Sequence, residues 1–294
     1  MFDLATYLSE RKKQVEYVLD QLLPAAETPP GVIHEAMRYA IFAGGKRLRP
    51  ILCMAASEAV GSTAARAERA GAAIEALHTY TLIHDDLPCM DDDDLRRGQP
   101  TAHIKFGEAN AVLAGDALLT QAFEWLAIEP ATAPYQPCQL ALELAQVAGS
   151  RGVIGGQVGD MAAEGDTPTA ERVNYIHTHK TAALFRASTR IGAIVGNAAP
   201  IDLEQLTLYG LEIGRAFQIT DDILNATSSE EAMGKPVGND QEAGKMSYLS
   251  IHSLEEARAN AKRLISKAIN ALEGLPGDTQ ALVAIAEKVL TRTN

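Results

Sequence analysis

The sequence predicts an all-α protein that folds as one domain over residues 1–294. Hydrophobic residues make up 47% of the chain and aromatic residues only 5%, and alanine is abundant throughout. Runs of Val, Ile, Thr and Tyr, which favour pleated strands, are few. Apolar residues instead recur at helical spacing, and no repeat, low-complexity tract or interdomain linker divides the chain. We therefore expect a helical bundle around one core.

Short segments rich in glycine and proline separate the predicted helices. These segments lie at residues 29–31, 61, 98–100, 129–137, 165–168, 197–200 and 274–277. Thr169, Asp202 and Ser253 are predicted N-caps, because acidic residues follow each of them within one turn. Two predicted helices, at about 64–84 and 202–226, each end in a cluster of aspartates. This parallel predicts two facing sites.

The charge of the chain excludes nucleic acid as a partner. The net charge is -12 and the pI is near 5.1, whereas binding a polyphosphate backbone requires a dense cationic surface. Residues 1–13 contain acids, and no run of about 18 apolar residues occurs anywhere, so we predict neither a signal peptide nor a transmembrane helix. We expect a cytoplasmic protein. The spacing of the three cysteines indicates neither a disulfide framework nor a zinc site.

The first aspartate cluster spans residues 84–94 and includes Asp85, Asp86 and Asp91. A run of acids is usually a solvated loop, but here the first two carboxylates follow closely on the apolar run at 80–83. Clustered carboxylates without cysteine or matching histidines are hard oxygen ligands that suit Mg²⁺, and the spacing of a calcium-binding EF-hand is absent. We predict a magnesium site that leaves room for phosphate oxygens.

The second cluster, residues 217–225, contains Asp221 and Asp222 at the end of an apolar helix. On a helix, Asp221 and Asn225 share a face, while Asp222 lies about 100° round. Two pairs of buried carboxylates would be costly without cations between them. The two clusters together therefore strengthen the prediction of a metal site.

Basic residues that could hold diphosphate groups lie at the ends of predicted segments. These residues are Lys46, Arg49, Arg96, Arg97, Lys180 with the adjacent Thr181, and Lys235. The sequence around Lys46 is not a P-loop, and any single one of these side chains could be an ordinary surface cation. Arginine forks contact two phosphate oxygens at once, so Arg49, Arg96 and Arg97 are the stronger candidates.

Five motifs carry a resemblance to a known family. They are Gly-Gly-Lys-Arg-Leu-Arg-Pro at 44–50, Asp-Asp-x-x-x-x-Asp at 85–91 with Arg-Arg-Gly at 96–98, Gly-Gln-x-x-Asp at 156–160, Lys-Thr at 180–181, and Phe-Gln-x-x-Asp-Asp at 217–222. Over residues 31–248 the chain resembles the short-chain trans-prenyl diphosphate synthases, and most closely the bacterial farnesyl diphosphate synthases. The resemblance implies the isoprenoid synthase type of helical bundle with a central cavity, and a homodimer.

The resemblance also implies the site and the reaction. Three Mg²⁺ ions would be bound by Asp85, Asp91 and Asp221, with Asp86 and Asp222 supporting them through waters. The implied allylic diphosphate ligands are Arg96, Lys180, Thr181, Gln218 and Lys235, and the implied isopentenyl diphosphate ligands are Lys46, Arg49, His78 and Arg97. Asp85, Asp91, Asp221, Lys180 and Arg96 would be catalytic. The implied reaction joins isopentenyl diphosphate head to tail with dimethylallyl and geranyl diphosphate, giving farnesyl diphosphate (C15), with the released diphosphate accepting the proton.

Product length would depend on what blocks the cavity below the first aspartates. Tyr80 lies five residues before Asp85, which places it about 7 to 8 Å deeper along the helix. Thr81 is the next residue. In the family, an aromatic residue at this position resembles farnesyl synthases and a small or aliphatic one resembles geranylgeranyl (C20) synthases. Tyr80 could also be an ordinary core residue, so a C20 product is the main alternative.

Three other functions remain possible from the sequence. A class I terpene cyclase would share the metal chemistry but would have no use for Lys46, Arg49 and Arg97. A non-catalytic subunit would be expected to have lost an aspartate motif, and only Asn225, where the family usually has a third aspartate, points that way. A di-iron site at Glu75-x-x-His78 would need a second copy of this spacing, which the sequence lacks.

Overall fold

The computed structural model describes residues 2–227 and 246–292. It confirms the all-α prediction, since helices account for most of this part of the chain. The α-helices are α1 (Leu4–Leu22), α2 (Gly31–Phe42), α3 (Leu48–Ala59), α4 (Glu68–Asp85), α5 (Ala102–Phe106), α6 (Glu108–Ala127), α7 (Gln139–Ala148), α8 (Val153–Met161), α9 (Ala170–Ile176), α10 (Ala183–Val195), α11 (Pro200–Thr227), α12 (Leu254–Asn270) and α13 (Gln280–Thr291). Single 3₁₀ turns occupy Ala64–Ala67 and Tyr248–Ser250, and a π-helical turn occupies His177–Ala182.

Two of the predicted N-caps are confirmed, and two predicted helix starts differ from the structure. Thr169 and Ser253 cap α9 and α12 as expected, and Ser253 forms a capping box with Glu256. The prediction for Asp202 is wrong, because α11 begins at Pro200 and Asp202 lies inside its first turn. Proline suits that first position, since its fixed φ matches the helix and its missing N–H has no partner to lose there. The helix expected from residue 64 begins instead as a 3₁₀ turn.

A small antiparallel hairpin interrupts the helical pattern between α4 and α5. Its two strands, β1 (Leu95–Arg96) and β2 (Gln99–Pro100), pair Arg96 with Gln99. Arg97 and Gly98 turn the chain with φ values of 53° and 75°, and positive φ at both central residues is the geometry of a tight hairpin turn. The break predicted at 98–100 is therefore a hairpin that fixes two consecutive arginines.

Helix α4 lies at the centre of the bundle. Its buried residues run from Ala70 to Ile83 and occupy most sides of the helix, as expected for a helix enclosed by its neighbours. Small residues allow close packing around it: a Cβ added at Gly71 would meet Pro50 of α3 at 3.1 Å, and one at Gly115 of α6 would meet His84 at 2.2 Å. Helix α4 therefore delivers the first aspartates from the core.

The apolar side chains gather into two hydrophobic clusters. The larger one extends from Val15 of α1 to Val289 of α13 and forms the core of the bundle. A second, smaller cluster gathers Ala163, Val173, Ile176 and Met246. None of the helices in residues 2–227 and 246–292 combines the length and apolar character needed to cross a membrane.

Candidate active site

A cavity of about 400 Å³ opens beside the C-terminal half of α4. Seven residues predicted from the sequence line it: Arg49, His78, Tyr80, Thr81, Asp85, Lys180 and Thr181. Apolar side chains from the α4–β1 loop, α8 and α10 complete the lining: Met90, Val153, Ile154, Val158, Met161 and Leu184. The cavity thus combines charged groups with an apolar interior, as an amphiphilic ligand requires.

The first aspartate cluster turns back on the end of α4. The Asp91 amide donates to the Asp85 carbonyl over 2.9 Å, and Asp92 has a φ of 52°. Burial raises the pKa of the Asp85 carboxyl to about 6, opposed by the Lys180 ammonium and reinforced by the Asp91 carboxylate. Asp85 and Asp91 are therefore close enough for their charges to interact.

Asp86, the second aspartate of this cluster, holds an arginine of the hairpin. Its carboxylate is 3% exposed and accepts the Nε–H of Arg96 at 2.6 and 2.8 Å. A buried carboxylate needs such a partner, because an unpaired charge would be strongly destabilising. The family resemblance implied that Asp86 supports Mg²⁺ through waters. In the structure Asp86 is paired with Arg96, one of the predicted diphosphate ligands.

Arg97 is fixed from the other side of the hairpin by the loop after α2. Its guanidinium donates to the Gly44 carbonyl. A Cβ added at Gly45 would meet that guanidinium at 2.6 to 2.8 Å, so only glycine allows this approach. The Gly-Gly pair of the 44–50 motif therefore helps to position Arg97, because Gly44 supplies the accepting carbonyl and Gly45 leaves room for the guanidinium.

Arg49 lies deep in the site, and no ion pair to it is found among the described residues. Its Nη1 is 3.1 Å from Nε2 of His78, and its guanidinium lies 4.9 Å from the Phe185 ring centre. Burial lowers the pKa of Arg49 to about 10, and burial together with the Arg49 charge holds the pKa of His78 well below its usual value. Within the described ranges the buried Arg49 Nε has no hydrogen-bond partner. This group is poised for an anionic ligand.

The neighbouring Arg47 has a structural role that the sequence did not reveal. It is 2% exposed, and its Nη1 donates to Glu75 over 2.7 Å while Nη2 donates to the Ile41 carbonyl over 2.6 Å. This buried pair ties the loop of the 44–50 motif to α4. The same contact engages Glu75 in an ion pair. The first ligand of the di-iron alternative is therefore already paired with an arginine.

The π-helical turn presents Lys180 and Thr181. Lys180 Nζ lies 2.5 Å from Oδ2 of Asp160 on α8, and the Thr181 hydroxyl donates to Gln218 of α11 over 2.7 Å. A Cβ at Gly156 would come within 2.2 Å of the Lys180 amide, so glycine permits α8 to contact the turn. π-Helical turns occur frequently at functional sites because they displace side chains from the regular helical register.

The second aspartate cluster contributes two carboxylates with different environments. Asp221 is paired with Arg292, whose guanidinium also stacks 3.8 Å from the Phe217 ring centre. Burial raises the pKa of Asp221 to about 6, and Arg292 opposes this rise. Asp222 instead accepts from Gln218 over 3.0 Å and from the Tyr248 amide over 2.6 Å, and it lies 3.3 Å from His177. The two neighbouring carboxylates are therefore held by different groups.

Lys46 lies within electrostatic reach of the second cluster. Burial lowers the pKa of the Lys46 ammonium, the Arg292 charge adds to the decrease, and the Asp221 carboxylate opposes it. Asp221 is thus close enough to Lys46, a predicted diphosphate ligand on the 44–50 motif, for their charges to interact.

Tyr80 lies where the sequence placed it, in the wall of the cavity. It is 5% exposed, and its ring stands edge-on to His84 with 5.5 Å between ring centres. Burial raises the pKa of its phenol to about 12. His84 Nε2 is in turn 3.0 Å from the Val112 carbonyl of α6. Tyr80 is therefore held in a fixed orientation about one turn below Asp85.

Residues 30–285 match the Polyprenyl synthetase family. The chain belongs to this family. The resemblance to short-chain trans-prenyl diphosphate synthases is thereby confirmed, and the chain is a prenyltransferase. Members of the family depend on Mg²⁺ in general. The isoprenoid synthase type of bundle that the motifs implied is likewise confirmed.

Several relatives are similar along nearly the whole chain. Geranylgeranyl pyrophosphate synthase 11, chloroplastic, of Arabidopsis thaliana is 44% identical, with 100% of this chain and 83% of the relative covered. Geranylgeranyl diphosphate synthase of Cyanophora paradoxa is 42% identical, with 100% and 98% covered. Among solved structures, an FPP/GFPP synthase from Zymomonas mobilis has a TM-score of 0.86 at 39% identity, with 98% of each chain covered. Geranylgeranyl pyrophosphate synthetase from Pyrococcus horikoshii reaches 0.90 at 32% identity, with the same coverage.

The carboxylates of this polyprenyl synthetase fit a hard cation that is shared with a ligand. Among residues 2–227 and 246–292, no three carboxylate, histidine or cysteine side chains converge into a ready-made metal cage. The raised pKa values of Asp85 and Asp221, each about 6, nevertheless mark two desolvated carboxylates that a cation would stabilise. Mg²⁺ needs only one or two carboxylates and fills its other positions with waters and phosphate oxygens.

The outcome for the predicted site residues is therefore uneven. Gln218 contacts Thr181 at the edge of the cavity, whereas some predicted residues are not among those that line it: Lys46, Asp91, Arg96, Arg97 and Asp221. Lys235 lies outside the described residues. The sequence motif at 156–160 included Asp160 but gave no role for it, and its pairing with Lys180 could have been found only from the fold. The pairing of Arg292 with Asp221 had no sequence signal beyond a basic residue near the C-terminus.

Proposed function

We propose that this prenyltransferase catalyses the Mg²⁺-dependent head-to-tail condensation of isopentenyl diphosphate with allylic prenyl diphosphates. One observation carries the proposal: a single cavity with a partly apolar lining brings together Arg49, which forms no ion pair among the described residues, the Lys180 ammonium and the desolvated Asp85 carboxylate. Two diphosphate head groups would satisfy the cationic groups, Mg²⁺ shared with a diphosphate would satisfy Asp85, and an apolar chain would fill the interior.

Asp85, Asp91 and Asp221 are the residues we propose to hold Mg²⁺. When bound, the metal supplies positive charge that stabilises the diphosphate as it leaves. Lys180 and Thr181 are proposed to bind the allylic diphosphate, with Gln218 orienting the Thr181 hydroxyl. Asp86 holds the Arg96 guanidinium in one orientation, which supports a role for Arg96 at the same diphosphate.

The isopentenyl diphosphate is proposed to bind at Lys46, Arg49, His78 and Arg97. Arg49 and His78 are already 3.1 Å apart, and the lowered pKa of His78 leaves the imidazole neutral, so that it can share a proton in a hydrogen bond without adding charge. The apolar lining excludes water from the allylic cation. The double bond of isopentenyl diphosphate attacks this cation, and the released diphosphate accepts the proton lost from the product.

The names of the relatives favour geranylgeranyl diphosphate (C20) as the product of this chain. The two relatives described above that are at least 42% identical over the whole chain are both named geranylgeranyl synthases. Val158 and Met161 line the cavity yet are 60% and 41% exposed, so the apolar lining reaches the surface of the protein along α8. This continuation supports room for a chain longer than C15.

Farnesyl diphosphate (C15) is the second candidate, because of Tyr80. Its buried ring occupies the cavity wall about one turn below Asp85 and is held by His84. An aromatic ring there would stop a growing chain unless the chain passes beside it. The two candidates therefore differ only in whether Tyr80 ends elongation.

A product assay tests the proposal. Purified protein with Mg²⁺ and labelled isopentenyl diphosphate is given dimethylallyl, geranyl or farnesyl diphosphate, and chain length is read after dephosphorylation. Elongation of farnesyl diphosphate to C20 would establish the first candidate, and accumulation of C15 the second. Failure to elongate any primer by folded protein would contradict the condensation and favour a terpene cyclase or a non-catalytic subunit.

We also propose a single-domain homodimer that acts in the cytoplasm. Val112 and Leu113 on α6 are 38% and 54% exposed, and a self-complementary interface would bury such side chains. The Arabidopsis thaliana relative described above is named as chloroplastic, so the proposal of a cytoplasmic location rests on the sequence of this chain alone. Light scattering coupled to gel filtration would give the mass in solution, and a monomer would contradict the dimer.

A further inference from the structure

A second cavity, of about 280 Å³, lies apart from the proposed active site. It is enclosed by α9, the π-helical turn, α11, the Tyr248–Ser250 turn and α12, and it shares no lining residue with the first cavity. At about 30 Å³ per water molecule, this volume holds a ligand of several non-hydrogen atoms. None of the roles proposed above uses it.

Two arginines give this second cavity its charge. Arg215 comes from α11 and Arg263 from α12, and His177 and His252 also line the cavity. No Asp or Glu is among the lining residues in the part of the chain that the structure describes. In a chain with a net charge of -12, a cavity whose charged lining residues are arginines is a local reversal of the overall charge.

Neutral oxygen atoms hold both guanidinium groups. Arg215 lies 3.3 and 3.4 Å from the Thr178 hydroxyl, and Arg263 donates to the Asn260 amide oxygen over 3.0 and 2.6 Å. By contrast, Arg190 on α10 is neutralised by Glu143 through two bonds of 2.7 Å. Across residues 2–227 and 246–292, neither Arg215 nor Arg263 forms an ion pair, so no carboxylate is held against either guanidinium.

The remaining polar lining is pre-ordered by an aromatic stack. The Tyr248 ring stacks with the imidazoles of His177 and His252, with centre-to-centre distances of 6.0 and 4.4 Å. Asn260 donates to the Tyr248 hydroxyl. Asp222 lies 3.3 Å from His177, so a carboxylate stands beside that imidazole. The attraction for an anion therefore comes mainly from the two arginines.

We propose that this second cavity binds the phosphate or diphosphate group of an anionic ligand. Arginine forks from two helices can contact several phosphate oxygens in two-point fashion, which is the strong mode of phosphate recognition. Val173, Ile219 and Leu264 form an apolar side of the same cavity. The ligand is thus either free diphosphate or a diphosphate that carries an apolar group.

Calorimetric titration with inorganic diphosphate tests the site directly. EDTA is present to prevent binding through metal, and the Arg49→Gln/Lys180→Gln double variant serves as the background in which both proposed diphosphate sites of the first cavity are weakened. In this background one site is expected, and its affinity should fall as salt rises. Adding Arg215→Gln or Arg263→Gln should weaken it at least tenfold. Arg258→Gln, an exposed arginine elsewhere on α12, is the matched control and should change nothing.

Each outcome of the titration decides for or against the site. Unchanged binding in both the Arg215→Gln and Arg263→Gln proteins, or an equal loss in the Arg258→Gln protein, would overturn the proposal. Farnesyl diphosphate distinguishes the two ligand sources: binding tighter than that of inorganic diphosphate, lost with the same variants, identifies a ligand with an apolar group, whereas equal affinity identifies the free anion. The condensation assay is run on Arg215→Gln and Arg263→Gln proteins that keep the proposed active site intact. Turnover should persist there, so loss of this site and loss of the proposed function give different results.

Discussion

Arg292 pairs with Asp221, and so an arginine from the end of α13 occupies the carboxylate that is proposed to hold Mg²⁺ on α11. The Arg292 side chain is 9% exposed, and its guanidinium also donates to the Phe217 carbonyl over 2.9 Å. The Arg292 guanidinium thus supplies positive charge at the carboxylate where the metal is proposed to bind. Binding of metal with substrate must displace it or share the carboxylate with it.

Removal of Arg292 should therefore make Mg²⁺ bind more readily. We expect Arg292→Gln to lower the Mg²⁺ concentration for half-maximal activity by about two- to fivefold, the equivalent of about 0.4 to 1 kcal/mol for a partly exposed ion pair. Lys288→Gln removes an exposed charge from the same helix without breaking the pair and should leave the Mg²⁺ dependence unchanged. A higher Mg²⁺ requirement in the Arg292→Gln protein would show that Arg292 assists the metal rather than competing with it.

Replacing the Asp85 carboxylate should have opposite effects on activity and on the stability of the metal-free protein. Asp85→Asn should abolish turnover, because a neutral amide cannot replace a carboxylate as a metal ligand. The ordinary pKa of the carboxyl is 3.8, and burial raises it to about 6 in the folded protein. The folded state thus binds more protons between these values, and wild-type stability should fall as pH rises from about 4 to 6.

The Asp85→Asn protein avoids this cost. It should be more stable than the wild type at pH 7 by about 1 kcal/mol, since one pKa unit corresponds to 1.36 kcal/mol and partial exposure reduces the effect. Below pH 4 the difference should vanish, because the wild-type carboxyl is then neutral in both states. Urea unfolding in EDTA measures this, with the exposed Asp94→Asn as control. A difference that is independent of pH would contradict the burial argument.

Gly45 should be needed for the orientation of Arg97. Gly45→Ala places a methyl group within 2.6 Å of the Arg97 guanidinium, so we expect the KM for isopentenyl diphosphate to rise about tenfold, or 1.4 kcal/mol, with a smaller effect on the allylic substrate. Gly44→Ala is the matched control, because its φ of 100° is similarly strained but its Cβ would meet no atom within 4 Å. Equal effects of the two changes would attribute the loss to backbone strain alone.

Tyr80 should limit product length if it ends elongation. Tyr80→Ala is then expected to move the main product at least one isoprene unit longer, while Tyr80→Phe, which keeps the ring, should retain the wild-type product. Liquid chromatography of the dephosphorylated products measures both. An unchanged product in the Tyr80→Ala protein would place the limit at another residue.

His84 contributes to the orientation of Tyr80. Its ring stands edge-on to Tyr80 at 5.5 Å, and the Val112 carbonyl lies 3.0 Å from its Nε2. The His84 imidazole fills the space that a Cβ at position 115 would need, so it fits only because that residue of α6 is glycine. The arrangement therefore depends on α6 as much as on α4. The sequence pattern at residues 80–85 therefore located the tyrosine, but its orientation depends on a helix that is distant in the chain.

The sequence predicted those features that depend on local order along the chain. Helical periodicity, the caps Thr169 and Ser253, and the spacing of Asp85, Asp86 and Asp91 are properties of neighbouring residues, and the family motifs follow from the same spacing. The N-cap at Asp202 was wrong because Pro200 begins the helix two residues earlier. A proline at the first helical position is also a local signal, so this error was avoidable.

Tertiary structure alone decided which charges pair. The partners Arg96 and Asp86, Lys180 and Asp160, and Arg292 and Asp221 are separated by 10, 20 and 71 residues. Sequence shows that both signs are present, but the free energy of a buried ion pair depends on distance and desolvation, which only the packing of the helices fixes. The second cavity arises in the same way, since Arg215 and Arg263 meet only because α11 packs against α12.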